Sequence, residues 1–191
     1  MLRTAREWLL GRQPQDIAEK TGIAYDEEHA QFHFMSLGRE IIVSYPAYEI
    51  MPQTDEWHQL VILHYMKLAD GTALTGAWTS MGAIKDGLIR GGDFDRRCEH
   101  VIGQRIGQIT AEQFADKCRS IGGRITDSNA DLAVYFDFLP RYPMLLKLWF
   151  ADEEFSASGK LLLDAGADHY LTIEDAVTAG QIVMEKLVGV F

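Results

Sequence analysis

The amino-acid sequence predicts an α+β fold, with a mainly antiparallel sheet that is built from hairpins and packed by about five helices. Two segments, residues 31–45 and 131–150, alternate apolar and polar positions on both sides of a turn. Helical patterns follow these hairpins without strict strand–helix alternation, which argues against a parallel sheet. With 191 residues, 47% of them hydrophobic, the chain is long enough to bury a core as one domain over residues 1–191.

The helices are predicted from their end signals. The first covers residues 15–20, with Pro14 in its first turn and Gly22 at a left-handed end. The central helix follows the cap Thr54 and runs to about Ala69, and its middle, LVILHYM, is apolar nearly all round. The other three run from Asp93 to about Gln104, from Thr110 to Gly122-Gly123, and from Thr172 to about Leu187.

The first hairpin is predicted from the stretch QFHFMSLGREIIVSYP. A two-residue type II′ turn requires glycine at its first central position, so we place the turn at Gly38-Arg39. The resulting register gives the cross-strand pairs Phe34–Val43, Phe32–Tyr45 and His33–Ser44.

The second hairpin is the clearest pattern in the chain. In DLAVYFDFLPRYPMLLKLWFA both arms alternate, and Pro140 and Pro143 bracket the turn. A register centred on Tyr142 places apolar residues opposite each other on one face and also forms an aromatic pair and a charge pair. The predicted cross-strand pairs are Phe136–Leu148, Tyr135–Trp149 and Asp137–Lys147.

The charge of the chain limits the classes of partner that it can be expected to bind. The formal net charge is −10, from 18 Lys and Arg against 28 Asp and Glu. Nucleic-acid-binding proteins usually carry a basic stripe, whereas the basic residues here are dispersed and Arg96-Arg97 is their densest pair. The charge therefore argues against nucleic acid as a partner and against docking on an anionic membrane.

The sequence also limits the cellular compartment and the cofactors that can be expected for this protein. The two cysteines, Cys98 and Cys118, are too few for a Cys-only zinc or iron–sulfur site, and no cofactor is evident. Charged residues interrupt the apolar ones after Met1, and no apolar stretch is long enough to cross a bilayer. We therefore expect a cytoplasmic protein with reduced thiols and no membrane segment.

The stretch WFADEEFSASGKLLLDAGADHY, residues 149–170, concentrates acidic residues beside an apolar strand. Asp152, Glu154, Asp164 and His169 are weak candidates for metal ligands, because hard cations prefer carboxylate oxygens. Consecutive residues rarely all bind one ion, however, and no EF-hand spacing is present. The favoured alternative is a polar rim that ends the strand and keeps a sheet edge soluble. We therefore expect the isolated domain to bind no metal tightly.

The Gly-rich segment over residues 71–93 is the best candidate for a functional loop. Trp78 could stack on a ligand, Gly91 and Gly92 allow close approach, and the helix start at Asp93 could hold an anion. The alternative is that Asp93 is itself an N-cap. Because its apolar side chains are costly to leave in water, we expect the loop to be ordered, with Trp78 partly packed.

Three blocks of the sequence resemble a known family. They are IAEKTGIAYDEEHAQFHFMSLGREIIV, LTGAWTSM and FLPRYPMLLKLWFADEEFSASGKLLLDAGADHYLTIEDA. Together they span nearly the whole chain and resemble the bacterial and archaeal family catalogued as domain of unknown function 3786. The resemblance carries no catalytic residues with it. It implies an anaerobic setting, since some relatives carry an additional cysteine-rich iron–sulfur module that this chain lacks.

Three functions remain open from the sequence. The preferred one is a non-enzymatic cytoplasmic binding or accessory domain for an anaerobic redox or one-carbon system, with an unknown protein or small molecule as partner. The alternative is a small-molecule enzyme with a pocket between the Gly-rich loop 71–93 and the acidic stretch 152–169. The third is a purely structural homo-oligomer. A deep pocket lined by Trp78, Asp93, Asp152 and His169 would favour the enzyme, whereas an exposed apolar face would favour partner binding.

Overall fold

The computed structural model of the protein describes residues 1–106 and 109–189. Two antiparallel sheets and six α-helices form in these residues, so the predicted α+β class is confirmed. The four-stranded sheet has the order β1-β2-β3-β4: Ala24–Asp26, Gln31–Ser36, Arg39–Ser44 and Ile50–Met51. The five-stranded sheet has the order β5-β9-β8-β7-β6, with β5 Trp78–Thr79, β6 Arg124–Ile125, β7 Leu132–Leu139, β8 Tyr142–Trp149 and β9 Ser158–Asp164.

The predicted helices all form, with one addition, α1. The predicted cap of the central helix is wrong, since Asp55 rather than Thr54 is its N-cap. They are α1 Leu2–Glu7, α2 Pro14–Thr21, α3 Glu56–Leu68, α4 Arg90–Ile106, α5 Ala111–Ser120 and α6 Ile173–Val188. Helix α1, which has no side-chain N-cap, was not predicted from the sequence. Tertiary contacts hold it instead, because Ala5 is buried and Arg6 donates to the carbonyl oxygen of Tyr48 at 3.1 Å.

The predicted register of the first hairpin is wrong by two residues. The turn lies at Leu37-Gly38, so that Phe32 pairs with Val43 and Phe34 with Ile41. Both turn residues adopt positive φ, 47° at Leu37 and 73° at Gly38. Leucine rarely adopts this conformation, but Leu37 is buried and its N–H donates to the carbonyl oxygen of Asp137 at 3.0 Å. Packing between the two sheets therefore sets the turn.

The predicted register of the second hairpin is wrong by four residues. The strands join through Pro140-Arg141, so Phe136 pairs with Met144 rather than with the predicted Leu148. An even shift keeps each apolar face on its own side of the sheet. The predicted charge pair does not form. Asp137 instead makes a salt bridge with Arg124 of the neighbouring strand β6, and Lys147 lies opposite Lys160 of β9 and donates to Asn129.

The Gly-rich segment is ordered and contains short regular elements, β5 and a 3₁₀ helix over Met81–Ala83. Trp78 is half-buried in β5 and makes an edge contact with the ring of Tyr135 at 5.9 Å between centroids, so its expected packing is confirmed. The helix that we expected to begin at Asp93 begins at Arg90.

Helix α6 lies at the centre of the helical layer, in contact with α3, α4 and α5. Gly180 lets α4 approach closely, because a Cβ at this position would come within 2.6 Å of the Phe94 ring. A single hydrophobic cluster joins both sheets and the helices. Among the helices that the structure describes, none is long and apolar enough to cross a membrane.

Candidate functional site

Two surface grooves lie beside α6, one along most of its length and the other at its N-terminus. The first, the α6 groove, consists of adjoining cavities of about 200 and 410 Å³ that share Arg90, Thr178 and Gln181. Its other lining residues are Asp55 and Trp57 of the α3 start, Asp93, Phe94 and Arg97 of α4, and Glu174, Val177, Ile182 and Glu185 of α6.

The second, the His169 groove, has a volume of about 570 Å³. It is lined by Leu68, Asp70, Lys85, Asp86, Asp168, His169, Leu171, Thr172, Ile173 and Glu174. Among the residues that the structure describes, Glu174 alone borders both grooves.

The α6 groove combines exposed apolar side chains with an excess of acid. Trp57 is 53% exposed, and Leu88 and Ile89, immediately before Arg90, are 84% and 73% exposed. Single exposed apolar residues are ordinary, but a tryptophan beside a groove and two neighbouring aliphatic residues are typical of binding surfaces. The lining carries four carboxylates, at Asp55, Asp93, Glu174 and Glu185, against the guanidinium groups of Arg90 and Arg97.

Local capping holds part of this lining in place. The side chain of Asp55 is the N-cap of α3 and accepts from the backbone N–H of His58 at 2.9 Å. This bond fixes the start of the helix that carries Trp57. Asp93 lies in the first turn of α4 and forms an ion pair with Arg96, so its predicted role as the N-cap is replaced by a position inside the helix.

A hydrogen-bonded histidine–aspartate pair forms one wall of the His169 groove. Nδ1 of His169 lies 2.8 Å from a carboxylate oxygen of Asp70, and the backbone N–H of Asp70 donates to the carbonyl oxygen of His169 at 3.3 Å. The hydrogen bond that His169 donates to the Asp70 carboxylate raises the pKa of His169. The same bond is the main cause that lowers the pKa of Asp70 to about 2.

Asp164 has a structural role. It is 3% exposed, and its carboxylate accepts from Thr75 N and Oγ1 at 3.0 Å, from Gly76 N at 2.8 Å and from Gly166 N at 2.9 Å. Burial raises the pKa of Asp164, but the hydrogen bonds from Gly166, Thr75 and Gly76 outweigh burial and leave the pKa below its ordinary value. The side chain thus ties the Gly-rich segment to the end of β9.

The acidic stretch forms a turn on the surface. Asp152 accepts from the backbone N–H groups of Phe155 at 2.7 Å and Glu154 at 2.9 Å, and these bonds lower its pKa. Glu154 is exposed. Within residues 1–106 and 109–189, no group of three or more His, Cys, Asp or Glu side chains is arranged to hold a metal ion. That the domain binds no metal tightly stays a prediction. Elemental analysis of protein purified without chelators checks it, and about one equivalent of zinc or iron per chain would contradict it.

The predicted site residues do not converge. Trp78 lies opposite Asp164 in the five-stranded sheet and lines neither groove, while Asp93 lines the α6 groove and His169 lines the groove named after it. Gly91 serves packing, because a Cβ there would lie 2.2 Å from the carbonyl oxygen of Met81. Gly92 faces open space apart from the side chain of Arg96.

Three nucleophile candidates in the described chain, Ser36, Cys98 and Cys118, are buried. Ser36 Oγ lies 2.9 Å from His58 Nε2, but His58 is 3% exposed and burial lowers its pKa to about 4. Cys98 and Cys118 are free thiols whose pKa burial raises to about 12. These groups stabilise the interior and are not placed to attack a substrate from solvent.

Several residues in or beside the grooves had not been singled out from the sequence. Leu88 and Ile89, which precede the groove residue Arg90, form an apolar pair outside any periodic pattern, and this signal could have identified them. Asp70 meets His169 across 99 positions of the chain, and no local pattern in the sequence predicts such a pair.

Comparison with known proteins adds one result. No curated protein and no solved structure matches this chain. A family model matches residues 13–186, which is most of the chain and includes the residues that line both grooves. The chain therefore belongs to the family described as Domain of unknown function (DUF3786).

Proposed function

We propose that the protein is a non-enzymatic accessory domain that docks a partner protein in the α6 groove. The observation that carries the proposal is the exposure of Trp57 in the lining of a concave surface and of Leu88 and Ile89 next to Arg90, which also lines it. Burying such side chains contributes roughly 1.5–3 kcal/mol each when a partner covers them fully. Tryptophan is also among the residue types that dominate binding energy at protein interfaces.

The charge of the groove indicates the chemistry of the partner. Four carboxylates against two guanidinium groups leave the lining acidic, and the whole chain has a formal net charge of −10. A basic segment is therefore attracted at long range and stays paired at the rim, whereas a second copy of this chain is repelled. We infer an amphipathic partner segment with apolar residues on one side and Lys or Arg on the other.

The dimensions of the groove suit a helix. The lining residues of α6 run from Glu174 to Glu185, a length of about 16 Å at 1.5 Å per residue. The start of α3 forms one side of the groove and the start of α4 the other. An amphipathic helix of about three turns fits such a groove with its apolar side on Trp57 and Ile182.

The setting of this function follows from the family resemblance. We propose a cytoplasmic protein that serves an anaerobic redox or one-carbon system, in which the partner would be a component of that system. The rival assignment, a small-molecule enzyme, draws its support from the His169 groove, which lies between part of the Gly-rich segment and the end of the acidic stretch.

A model peptide tests the docking proposal. A helical peptide of about three to four turns, with leucine on one face and lysine on the other, should bind the wild-type protein in calorimetry. A sequence-scrambled peptide of equal charge should bind at least about tenfold more weakly, because charge alone does not fill the groove.

Matched variants of the protein locate the binding. The double variant Trp57→Ser/Ile89→Ser should bind the peptide at least about tenfold more weakly than the wild type does. Phe155→Ser removes a similarly exposed apolar side chain, 69% exposed, on the acidic turn outside this groove and should leave the affinity unchanged. Equal affinity of the Trp57/Ile89 variant and the wild type, or no preference for the amphipathic peptide over the scrambled one, contradicts the proposal.

A further inference from the structure

We propose that the His169 groove binds a small zwitterion with an apolar substituent, with an aliphatic α-amino acid as the type ligand. This site is separate from the α6 groove, and the inference does not depend on the docking of a partner protein. Three parts of the groove carry the argument: its apolar floor, its two basic groups and its free carboxylates.

The apolar floor gives the groove its shape. Its volume, about 570 Å³, falls within the range of roughly 300–1,000 Å³ that small-molecule sites occupy. Leu171 and Ile173 are 2% and 7% exposed, and Leu68 is partly open at 42%. A branched aliphatic side chain of a ligand would cover Leu68, which is otherwise exposed to solvent, and the burial of both apolar surfaces would favour binding.

Two basic groups line the groove. Nδ1 of His169 is held by Asp70, which leaves Nε2 as the ring nitrogen without a hydrogen bond in the described residues. Lys85 makes no hydrogen bond or ion pair in the same residues. It lies near enough to His169 for its charge to lower the pKa of that ring, although Asp70 raises this pKa by more. An ammonium group and an imidazolium N–H are suitable donors for a ligand carboxylate.

Free carboxylates complete the lining. Asp86, Asp168 and Glu174 are exposed, and none of their side-chain oxygens makes a hydrogen bond or ion pair within the described residues. Glu174 also favours the positive end of α6, so its position has a structural reason of its own. Asp168 belongs to the short 3₁₀ helix beside His169, where its carboxylate is available to a ligand ammonium group.

The combination of both charges decides the ligand class. A simple anion would meet three free carboxylates, and a simple cation would meet Lys85 and the His169 ring. A zwitterion places one charge near each kind of group, and its apolar substituent faces the floor. An aliphatic α-amino acid has these three parts within the volume of the groove.

Hydrogen bonds within the protein hold the wall that carries His169 in place without a ligand. Asp70 also accepts from the backbone N–H of Thr72 at 2.9 Å, and Tyr170 donates its hydroxyl proton to the carbonyl oxygen of Thr72. Asp164 fixes the following residues, Thr75 and Gly76. Preorganisation of this kind reduces the entropy that binding would otherwise cost.

Four related probes test the ligand class by calorimetry or ligand-observed NMR. L-Leucine carries all three parts. 4-Methylpentanoate lacks the ammonium group, 3-methylbutylamine lacks the carboxylate, and glycine lacks the apolar side chain. Leucine should bind in the millimolar range or tighter, and each of the other three should bind at least about fivefold more weakly. Binding of 3-methylbutylamine as tight as that of leucine would show a plain acidic patch and overturn the proposal, as would a failure of leucine to bind.

Two variants test the residues. Lys85→Gln removes an exposed cation without a structural partner, so the protein should fold normally. It should weaken the binding of leucine by about fivefold to tenfold and should not weaken the binding of 3-methylbutylamine. Asp168→Asn should weaken the binding of both leucine and 3-methylbutylamine and should not weaken the binding of 4-methylpentanoate. Lys160→Gln, at an exposed lysine outside this groove, is the matched control. Wild-type affinity for leucine in Lys85→Gln contradicts the proposal, whatever the outcome for the α6 groove.

Discussion

At the scale of single residues, buried and half-buried polar groups explain how an irregular Gly-rich segment stays ordered. Asp164 receives four hydrogen bonds from Thr75, Gly76 and Gly166. His169 and Asp70 join the segment to the 3₁₀ helix before α6. The sequence marked Asp164 and His169 as weak metal ligands, because an acid and a histidine near a strand end do not reveal which backbone N–H groups will meet them.

Asp164→Asn tests the structural role of this carboxylate. The side-chain NH2 group of the asparagine would face backbone N–H groups that donate to the Asp164 carboxylate in the wild type. Some of these N–H groups would lose their acceptor, so the free energy of unfolding should fall by about 1–3 kcal/mol. Chemical denaturation measures the change. Asp152→Asn, on an exposed turn with two similar hydrogen bonds, should cost less than about 0.5 kcal/mol. A loss at Asp164 no larger than at Asp152 would show that the four bonds do not hold the segment.

The His169–Asp70 pair predicts a pH dependence of stability. The pKa of His169 is raised above 6.5 in the folded protein, so its contribution is complete below 6.5 and is lost as pH rises through the raised value. The pKa of Asp70 is lowered from 3.8 to about 2, so its contribution is present above 3.8 and is lost as pH falls towards 2. The pair should therefore stabilise most between about pH 4 and 6.5.

Denaturation of the wild type and His169→Gln across this pH range measures the effect. The difference in the free energy of unfolding should be largest in that window and should shrink above it. An NMR titration of His169 provides the control, since Asp70→Asn should lower its pKa. A difference between the two proteins that stays constant with pH would show that the pair does not titrate in this way.

At the scale of elements, the parts predicted correctly are those whose signals are local. Thr110 caps α5 through a complete capping box, Thr172 caps α6, and Gly22 ends α2 with φ 72°. The turns of both hairpins were misplaced because tertiary contacts decide them. Leu37 takes positive φ where it packs between the sheets, and Pro143 lies inside β8, beside the irregularity at residues 137–139.

The contact between the first turn and the end of α5 is testable. A Cβ at Gly122 would lie 2.4 Å from the backbone nitrogen of Gly38, and the φ of Gly122 is +80°. Gly122→Ala should therefore lower the free energy of unfolding by more than about 2 kcal/mol. Gly92→Ala is the matched control, because its Cβ meets only the flexible Arg96 side chain at 3.7 Å. It should be neutral or stabilise the protein by up to about 1 kcal/mol. Equal effects of the two substitutions, measured by denaturation, would contradict the contact.

At the scale of the whole molecule, the sequence predicted the fold class and the charge, but not where the grooves lie. The α6 groove joins residues 55–57, 90–97 and 174–185, and the His169 groove joins residues 68–86 and 168–174. Neither set is continuous in the chain, so only the packing of α3, α4 and α6 brings its members together. The net charge, by contrast, can be counted from the sequence alone, and its negative sign favours a basic partner.

The most direct test of the docking function is an NMR footprint of the amphipathic lysine–leucine peptide on the wild-type protein. We predict amide shift changes at Trp57, at residues 88–90 and along residues 174–185, with residues 152–155 on the acidic turn outside the groove unchanged. Shift changes that cluster on another face of the molecule, or that spread over its acidic surface without a focus on Trp57 and α6, would contradict the assignment of the α6 groove as the docking site.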